Sequence, residues 1–132
     1  MHSASAGTVR AAFEAFLRQD LVALQQYVHP DLEWTFLDPT SESPTPATCH
    51  GRKELEKAAG KWASMGLATE LEELEGIGDK VVVILHAPGL DRFRARTADD
   101  RNFHLVTVRD GRVTAIRACY ERAEARSRAG LA

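Results

Sequence analysis

The sequence predicts an α+β domain, with helices in much of its first half and antiparallel strands in its second. Apolar residues recur at helical spacing before residue 65, whereas alternating and β-branched runs dominate from residue 67 onward. Asp110 and Gly111 separate two such runs and form a strong hairpin signal, because both residues accept the positive φ angles of a type I′ turn. Helices gathered before a meandering sheet favour this class over an alternating βαβ fold.

Thr8 is the expected N-cap of a first helix, whose apolar residues continue at helical spacing to Arg18. Asp20 then caps a second helix, and Pro30 is expected to end it. Because a Gln-Asp pair alone separates the two helices, we expect a hairpin or a sharp bend there.

A first strand is predicted over residues 32–38, with Trp34, Phe36 and Asp38 on one face. Residues 39–50 contain three prolines among serines and threonines, which predicts a long loop. Loops of this length are often functional, and whether this one acts as a lid stays open. Gly51 begins a third helix that extends to residue 65, with Trp62 among its inward residues.

Strands follow the third helix. Residues 67–74 alternate imperfectly, residues 76–79 form a turn, and residues 81–86 are a strongly β-branched strand. A weaker strand is expected around Phe93 and Ala95. The hairpin occupies residues 102–121, and the small, charged tail after it predicts a frayed helical end.

The first strand of this hairpin carries an unusual residue. Alternation places Asn102, His104, Val106 and Val108 on one face and the intervening residues 103, 105 and 107 on the other. A histidine on an otherwise apolar strand face needs an explanation. It is either a core histidine that hydrogen-bonds a backbone carbonyl or a pocket residue able to exchange protons near neutral pH.

Composition indicates a single globular domain, residues 1–132, with flexible ends at about 1–7 and 124–132. The 132 residues are 44% apolar and 27% charged, with a formal net charge of −2. The basic residues are dispersed, which argues against nucleic acid or an anionic membrane as a partner. No apolar run could cross a bilayer, and the N-terminus lacks signal-peptide features, so we expect a cytoplasmic protein.

Cofactor and metal signals are absent from the sequence pattern. Cys49 and Cys119 match no metal or redox spacing, so two free thiols are expected. The histidines lack the paired spacing of metal ligands, and the glycines fall in no phosphate-binding or nucleophile-elbow order. We therefore expect neither a metal nor a cofactor.

Three local patterns resemble the SnoaL-like branch of the nuclear transport factor 2-like superfamily. They are the helix junction Gln19-Asp20-Leu21 running into HPDLEW at 29–34, the CHGR segment at 49–52, and DDRNFHLVTVRDGRV at 99–113 continuing to Arg117 and Tyr120. Together they span residues 9–123. The resemblance implies a curved, mostly antiparallel sheet wrapped by three helices into a cone-shaped barrel. It also implies a buried pocket and a homodimer packed through the sheet.

Within this superfamily, the ketosteroid isomerases offer the closest mechanistic comparison. Asp38-Pro39 matches their Asp-Pro element, which implies that Asp38 is the general base. The acid that binds the oxyanion falls on His104, and the tyrosine of the first helix falls on Phe13. One donor is therefore replaced by histidine and the other is lost.

Asp38 and His104 are the candidate catalytic residues. An inward Asp38 would be partly desolvated, which raises the pKa of a carboxyl group, whereas the simpler interpretation is a turn at the strand end. A ligand pocket is expected to be lined by apolar and aromatic residues together with one amide: Phe13, Trp34, Phe36, Trp62, Asn102, Val106, Ile116 and Tyr120. The facing of His86 and of Arg117 stays open.

The function that follows is binding of a small, apolar or ring-containing molecule. Cofactor-free isomerisation, cyclisation or dehydration would use Asp38 and His104 as acid–base groups. The alternative is a non-catalytic ligand-binding or dimerisation module in which these groups orient a ligand or satisfy the core. The fold does not distinguish them, because this superfamily includes both classes.

Overall fold

One curved six-stranded sheet, open at its two edges, carries three helices from the first half of the chain. The computed structural model describes residues 4–37, 46–64, 66, 68–88 and 101–131. The elements in chain order are α1 (Ala4–Leu17), α2 (Leu21–Gln26), β1 (Val28–Leu37), β2 (Pro46–His50), α3 (Gly51–Ser64), β3 (Glu70–Ile77), β4 (Lys80–His86), β5 (Arg101–Arg109), β6 (Arg112–Cys119) and α4 (Arg122–Ala129). The predicted α+β class is confirmed.

The strands lie in the order β2-β1-β6-β5-β4-β3. All neighbours are antiparallel except β1 and β6, which run parallel. The predicted β5–β6 hairpin is confirmed, since Asp110 (φ 52°) and Gly111 (φ 75°) both adopt the positive angles of a type I′ turn. In the described part of the chain, no helix is long and apolar enough to span a membrane.

The bend between α1 and α2 lies where the sequence predicts it. Gln19 adopts φ 60°, and the backbone N–H of Ala23 donates a 3.1 Å hydrogen bond to Oδ1 of Asp20, which caps α2. The predicted end of α2 at Pro30 is wrong, because the helix ends at Gln26 and Pro30 lies inside β1. The chain leaves the helix early because Val28, which is 1% exposed, already pairs with Val113 of β6.

Pro30 coincides with an irregularity in β1. The register between β1 and β6 shifts between Val28 and Glu33, and a proline is tolerated in such a place because it has no N–H to donate to a ladder. Gly51, at the start of α3, adopts φ 78°, and a Cβ there would lie 3.3 Å from the carbonyl oxygen of Pro30. Nη2 of Arg52 donates a 2.9 Å hydrogen bond to the carbonyl of Val28. The start of α3 is thereby fitted to the irregular part of β1.

The predicted loop over residues 39–50 is too long at its C-terminal end. Residues Pro46–His50 form the edge strand β2, in which Cys49 pairs with Trp34 and Thr48 with Thr35. The rest of that segment, and the weaker strand expected around Phe93 and Ala95, lie outside the described residues.

A bulge explains the imperfect alternation in β3. Leu71 pairs with Leu85 and Glu73 with Ile84, so Glu72 is an additional residue on this strand. Leu71 and Leu74 therefore reach the same apolar cluster although they are three residues apart. The strand also extends to Ile77, beyond its predicted end, which shortens the predicted 76–79 turn to Gly78 and Asp79.

The sheet has an apolar cluster on each face. The inner cluster packs α1, α2 and α3 against the sheet and includes Val9, Phe13, Phe16, Leu32, Trp34, Leu55, Val81, Val83, Val106 and Ile116. The outer cluster is formed by Val82, Ile84, Phe103 and Cys119 together with Ala125 and Ala129 of α4. The tail that was expected to be a frayed helical end thus forms a helix that covers part of the outer face.

Charged pairs join α4 to the edge strand β3. Arg122 donates two hydrogen bonds to Glu73, at 2.8 and 2.6 Å, and Arg126 is paired with Glu75. Bidentate arginine–carboxylate pairs fix orientation as well as position. The Arg122 pair is exposed and is worth little in stability, whereas Arg126 is partly buried beside the buried alanines of α4.

Gly51→Ala tests the fit between α3 and β1. We expect it to lower the free energy of unfolding by about 1–2 kcal/mol, because alanine is strained at positive φ and its Cβ would press on the Pro30 carbonyl. Urea unfolding measures the change. Gly60→Ala, on the exposed side of α3 with nothing within 4 Å of the added Cβ, is the matched control and should raise stability by about 0.5–1 kcal/mol. Equal effects of the two substitutions would contradict this account.

Candidate functional site

His104 lies on the inner face of the sheet, as the alternation of β5 predicts. It is a polar residue among apolar ones and is 5% exposed. Its imidazole is in contact with the ring of Phe13 from α1, with the ring centroids 5.7 Å apart and the planes at 53°. The structure therefore places Phe13 of α1 directly against His104 of β5.

The sheet neighbours of His104 are small or apolar. Val83 of β4 lies on one side of it and Ala118 of β6 on the other. Val83 is fully buried, whereas Ala118 is half-buried. Asn102, two residues earlier on β5, is half-buried and pairs with Leu85. His104 and Asn102 thus lie on one face, as predicted, with Asn102 nearer the start of the strand.

The inner cluster contains four of the residues predicted for a pocket: Phe13, Trp34, Val106 and Ile116. Trp34 of β1 meets the ring of Phe16 edge-on, at 5.8 Å between centroids and 80° between planes. Trp34 pairs with Ile116 of β6, which in turn pairs with Val106 of β5, so the three residues form one row across the sheet. The backbone of Phe36 pairs with Ala47 at the end of β1.

Asp38 lies outside the described residues. The strand before it ends at Leu37. Because β1 runs parallel to β6 and β6 antiparallel to β5, this end of β1 lies at the same end of the sheet as Cys119 and Arg101. The first residues of β5, which lead to Asn102 and His104, are therefore at that end too.

Trp62 belongs to an open pocket of about 230 Å³ between the ends of α1 and α3. The pocket is lined by Leu17, Gln19, Trp62, Ala63 and Thr69. The indole Nε1–H of Trp62 donates a 3.1 Å hydrogen bond to Oγ1 of Thr69. Sequence reasoning found Trp62 from its helical spacing but missed Gln19 and Thr69, because no periodic pattern marks polar residues in connections.

Tyr120, Arg117 and His86 lie away from the inner wall. Tyr120 is 62% exposed and follows the end of β6, so we leave it out of the pocket. Arg117 is exposed on the outer face. The orientation of His86 was left open by the sequence. In β4 it lies on the same face as Val82 and Ile84 of the outer cluster, so it is on the outer side of the sheet.

The two cysteines are free thiols, as predicted, and they lie in different clusters on opposite faces of the sheet. Burial raises the pKa of the Cys49 thiol, and the charge of Glu54 raises it further. Burial likewise raises the pKa of the Cys119 thiol, with a contribution from Glu124. A raised pKa lowers the thiolate fraction at any given pH, so neither cysteine is suited to act as a nucleophile.

Comparison with known proteins gives a family and a fold. The model of the SnoaL-like domain family matches residues 9–116. A protein of unknown function from Burkholderia pseudomallei, with the nuclear transport factor 2-like fold, is 25% identical over 95% of this chain and 96% of its own, with a TM-score of 0.64. No curated protein matches the sequence.

Two further solved structures have names that refer to small molecules. A putative polyketide cyclase from Sinorhizobium meliloti is 17% identical over 86% of this chain and 94% of its own, with a TM-score of 0.65. TerC, co-crystallised with polyporic acid, is 22% identical over 92% of this chain and 95% of its own, with a TM-score of 0.66. At these identities the similarity establishes the shared fold.

The thiols should react slowly with Ellman's reagent at pH 7, at a rate that rises with pH as the thiolate fraction grows. Unfolding in urea should raise the rate by about tenfold or more, because it removes the burial that raises both pKa values. The variants Cys49→Ala and Cys119→Ala show which part of the reaction comes from each thiol. A thiol of the folded protein that reacts as fast as the unfolded chain would contradict this description.

Proposed function

Because the chain belongs to the SnoaL-like domain family, we propose that it binds a small, largely apolar molecule at the inner face of its sheet. We further propose that it carries out cofactor-free proton transfer on that molecule. The proposed pocket includes Phe13, Trp34, Phe36, Trp62, Asn102, Val106 and Ile116 around His104.

The observation that carries the proposal is the burial of His104 on an apolar face. Its neighbours in the sheet are Val83 and Ala118, and Phe13 of α1 packs against its ring. Valine or leucine would pack in this position without the cost of removing an imidazole from water. A buried histidine in such a wall therefore favours a chemical role, because imidazole can act as acid, base or neutral donor near pH 7.

The proposed chemistry uses one donor where ketosteroid isomerases use two. Asp38 would remove a proton from a carbon next to a carbonyl group, and His104 would hydrogen-bond the oxygen on which negative charge develops. Asp38 would then return the proton to another carbon of the same molecule. The net reaction is an isomerisation, and Asp38 ends in its starting form. Phe13 contributes apolar contact and no donor, so a steroid isomerase mechanism with two donors is not supported.

The names of two similar structures support a small organic ligand. One is a putative polyketide cyclase, and the other was co-crystallised with polyporic acid. The aromatic residues Trp34 and Phe16 also suit a ring-containing molecule, because aromatic rings pack favourably against one another.

The dense packing of the inner wall favours a second candidate, a non-catalytic binding module. Val81, Val83 and Val106 are completely buried, and Val81 and Val83 pair with Val106 and His104 in the sheet. A histidine enclosed by such residues can serve as a polar anchor that orients a ligand. In that case Asp38 ends the strand and transfers no proton.

Deuterium exchange separates these two candidates. In D₂O, the protein should accelerate exchange of the protons next to the carbonyl in members of a panel of cyclic ketones, followed by NMR. Asp38→Asn and His104→Asn should each lower the accelerated rate by about 10²–10⁴-fold. Tyr120→Phe, a change at an exposed residue, is the control and should leave the rate unchanged. Exchange no faster than in buffer, or unaffected by His104→Asn, would favour the binding module.

We also propose a homodimer in the cytoplasm, formed through the part of the outer face that α4 does not cover. The helix α4 covers the outer cluster around Phe103 and Cys119, whereas Glu33, Thr35 and Arg117 on β1 and β6 are accessible. Thr35 and Arg117 are neighbours in the sheet, and Glu33 lies two residues away on β1. Carboxylate and guanidinium groups on one surface allow two copies to pair with opposite charges.

Light scattering at micromolar concentration tests the dimer. The wild-type protein should have twice the mass of one chain. Arg117→Glu should shift the mass toward that of one chain, because it places like charges across the two-fold axis. Arg109→Glu makes the same change of charge at the exposed end of β5 and should leave the mass unchanged. A wild-type protein with the mass of one chain would remove the proposal.

A further inference from the structure

We propose that the open pocket between the ends of α1 and α3 binds a neutral aromatic molecule that carries a hydrogen-bond donor. The ring would stack on Trp62, and the donor would bond the side-chain oxygen Oε1 of Gln19. This inference rests on the proposed function and names the ligand class for the mouth of the same wall.

The pocket continues the wall that contains His104. Phe13 touches His104, and Leu17 lies four residues further along α1, which is one helical turn and about 6 Å. Leu17 and Trp62 are both half-buried and pack against the inner cluster. The other end of the pocket is Thr69, immediately before β3.

Trp62 presents a fixed ring to this pocket. Its indole N–H donates to Oγ1 of Thr69 at 3.1 Å, so the polar edge of the ring is already bonded to protein. The remaining surface of the indole is apolar, and Leu17 and Ala63 beside it are apolar as well. A ring with a fixed orientation loses little conformational entropy when a second aromatic ring stacks on it.

Gln19 provides an acceptor at the rim. Its Nε2 donates a 3.1 Å hydrogen bond to the carbonyl of Phe16, which identifies the nitrogen because a carbonyl can only accept. The oxygen Oε1 of the same amide has no donor among the residues that the structure describes. Gln19 is exposed, so this oxygen lies at the rim of the pocket, where it can accept a hydrogen bond from an O–H or N–H group of a ligand.

The backbone of Gln19 is better suited to glycine. The residue ends α1 in the left-handed region, with φ 60°. The N–H of Gln19 bonds the carbonyl of Phe16 at 3.1 Å, and the N–H of Asp20 bonds that of Ala15 at 2.9 Å, which is the Schellman arrangement. Glycine is the usual residue in this position because it avoids the Cβ penalty. The glutamine side chain adds a hydrogen bond to the carbonyl of Phe16, which glycine could not make, and it also lines the pocket.

The lining limits the ligand. None of the five described residues that line the pocket is charged, so a neutral molecule fits it better than an ion. The volume of about 230 Å³ exceeds the roughly 150 Å³ that accommodates benzene in an apolar cavity. One substituted ring is the size that these residues can hold, and an aromatic hydroxyl supplies the donor.

A pair of probes tests the donor. The full-length protein is titrated with 4-ethylphenol and with 4-ethylanisole, its methyl ether, which has the same ring but no donor. The readout is the NMR signal of the indole N–H of Trp62, one of two tryptophans in the chain, assigned with Trp62→Phe. The phenol should shift this signal saturably and bind about three- to tenfold more tightly than the ether.

Gln19→Gly is the decisive variant. It should lose about three- to tenfold in affinity for the phenol and nothing for the ether, while its urea midpoint is unchanged or higher because glycine suits the turn. An equal loss for both probes, an unchanged affinity for the phenol, or no saturable shift would each overturn the inference.

His104→Asn separates this inference from the proposed chemistry. It should leave the shift of Trp62 intact while abolishing deuterium exchange, because His104 is not among the residues that line the pocket. Normal titrations in both proteins, with no accelerated exchange in the wild-type protein, would refute catalysis and leave the binding inference standing. Failed titrations with active exchange would do the reverse.

Discussion

The irregular register of β1 at Pro30 is the constraint on which the rest of the structure depends. The strand β1 lies between β2 and β6, and its pairing with β6 is interrupted between Val28 and Glu33. Backbone carbonyls in this part of β1 contact the start of α3. The carbonyl of Val28 receives the guanidinium of Arg52, and that of Pro30 lies against the backbone of Gly51. These contacts set the start of α3. Trp62 lies eleven residues after Gly51, about 16 Å along the helix, so its position depends on these contacts.

The two faces of the sheet are covered in different ways. Ala125 and Ala129 of α4 pack on the outer cluster. Arg122 and Arg126 of the same helix pair with glutamates of β3. The inner face is covered by α1, α2 and α3, which contribute larger side chains such as Phe13 and Phe16, and the buried His104 lies on this face. The helix α4 covers the outer cluster, whereas α1, α2 and α3 cover the inner one.

Features that depend on local geometry could be predicted from the sequence. Asp110-Gly111 specifies its turn by backbone preference alone, and the alternation of β5 places His104 on the inner face. Features that depend on a distant partner could not be predicted. The extra residue Glu72 is absorbed because the leucines around it must both face inward, and β2 exists because the edge of β1 is available to pair with it. Of the proposed site, sequence reasoning found the ring and the imidazole but not the acceptor at Gln19.

His104 and Gln19 depart from the most stable choice in different ways, which makes them informative together. A histidine in an apolar wall is costly because its imidazole leaves water, and a glutamine at positive φ is costly because its Cβ crowds the backbone. Natural chains tend to break local rules at functional positions and to compensate elsewhere. Here both departures lie along one face of α1, with Phe13 touching one and Leu17 beside the other. The proposed binding of a polar aromatic molecule would give both residues a role beyond packing.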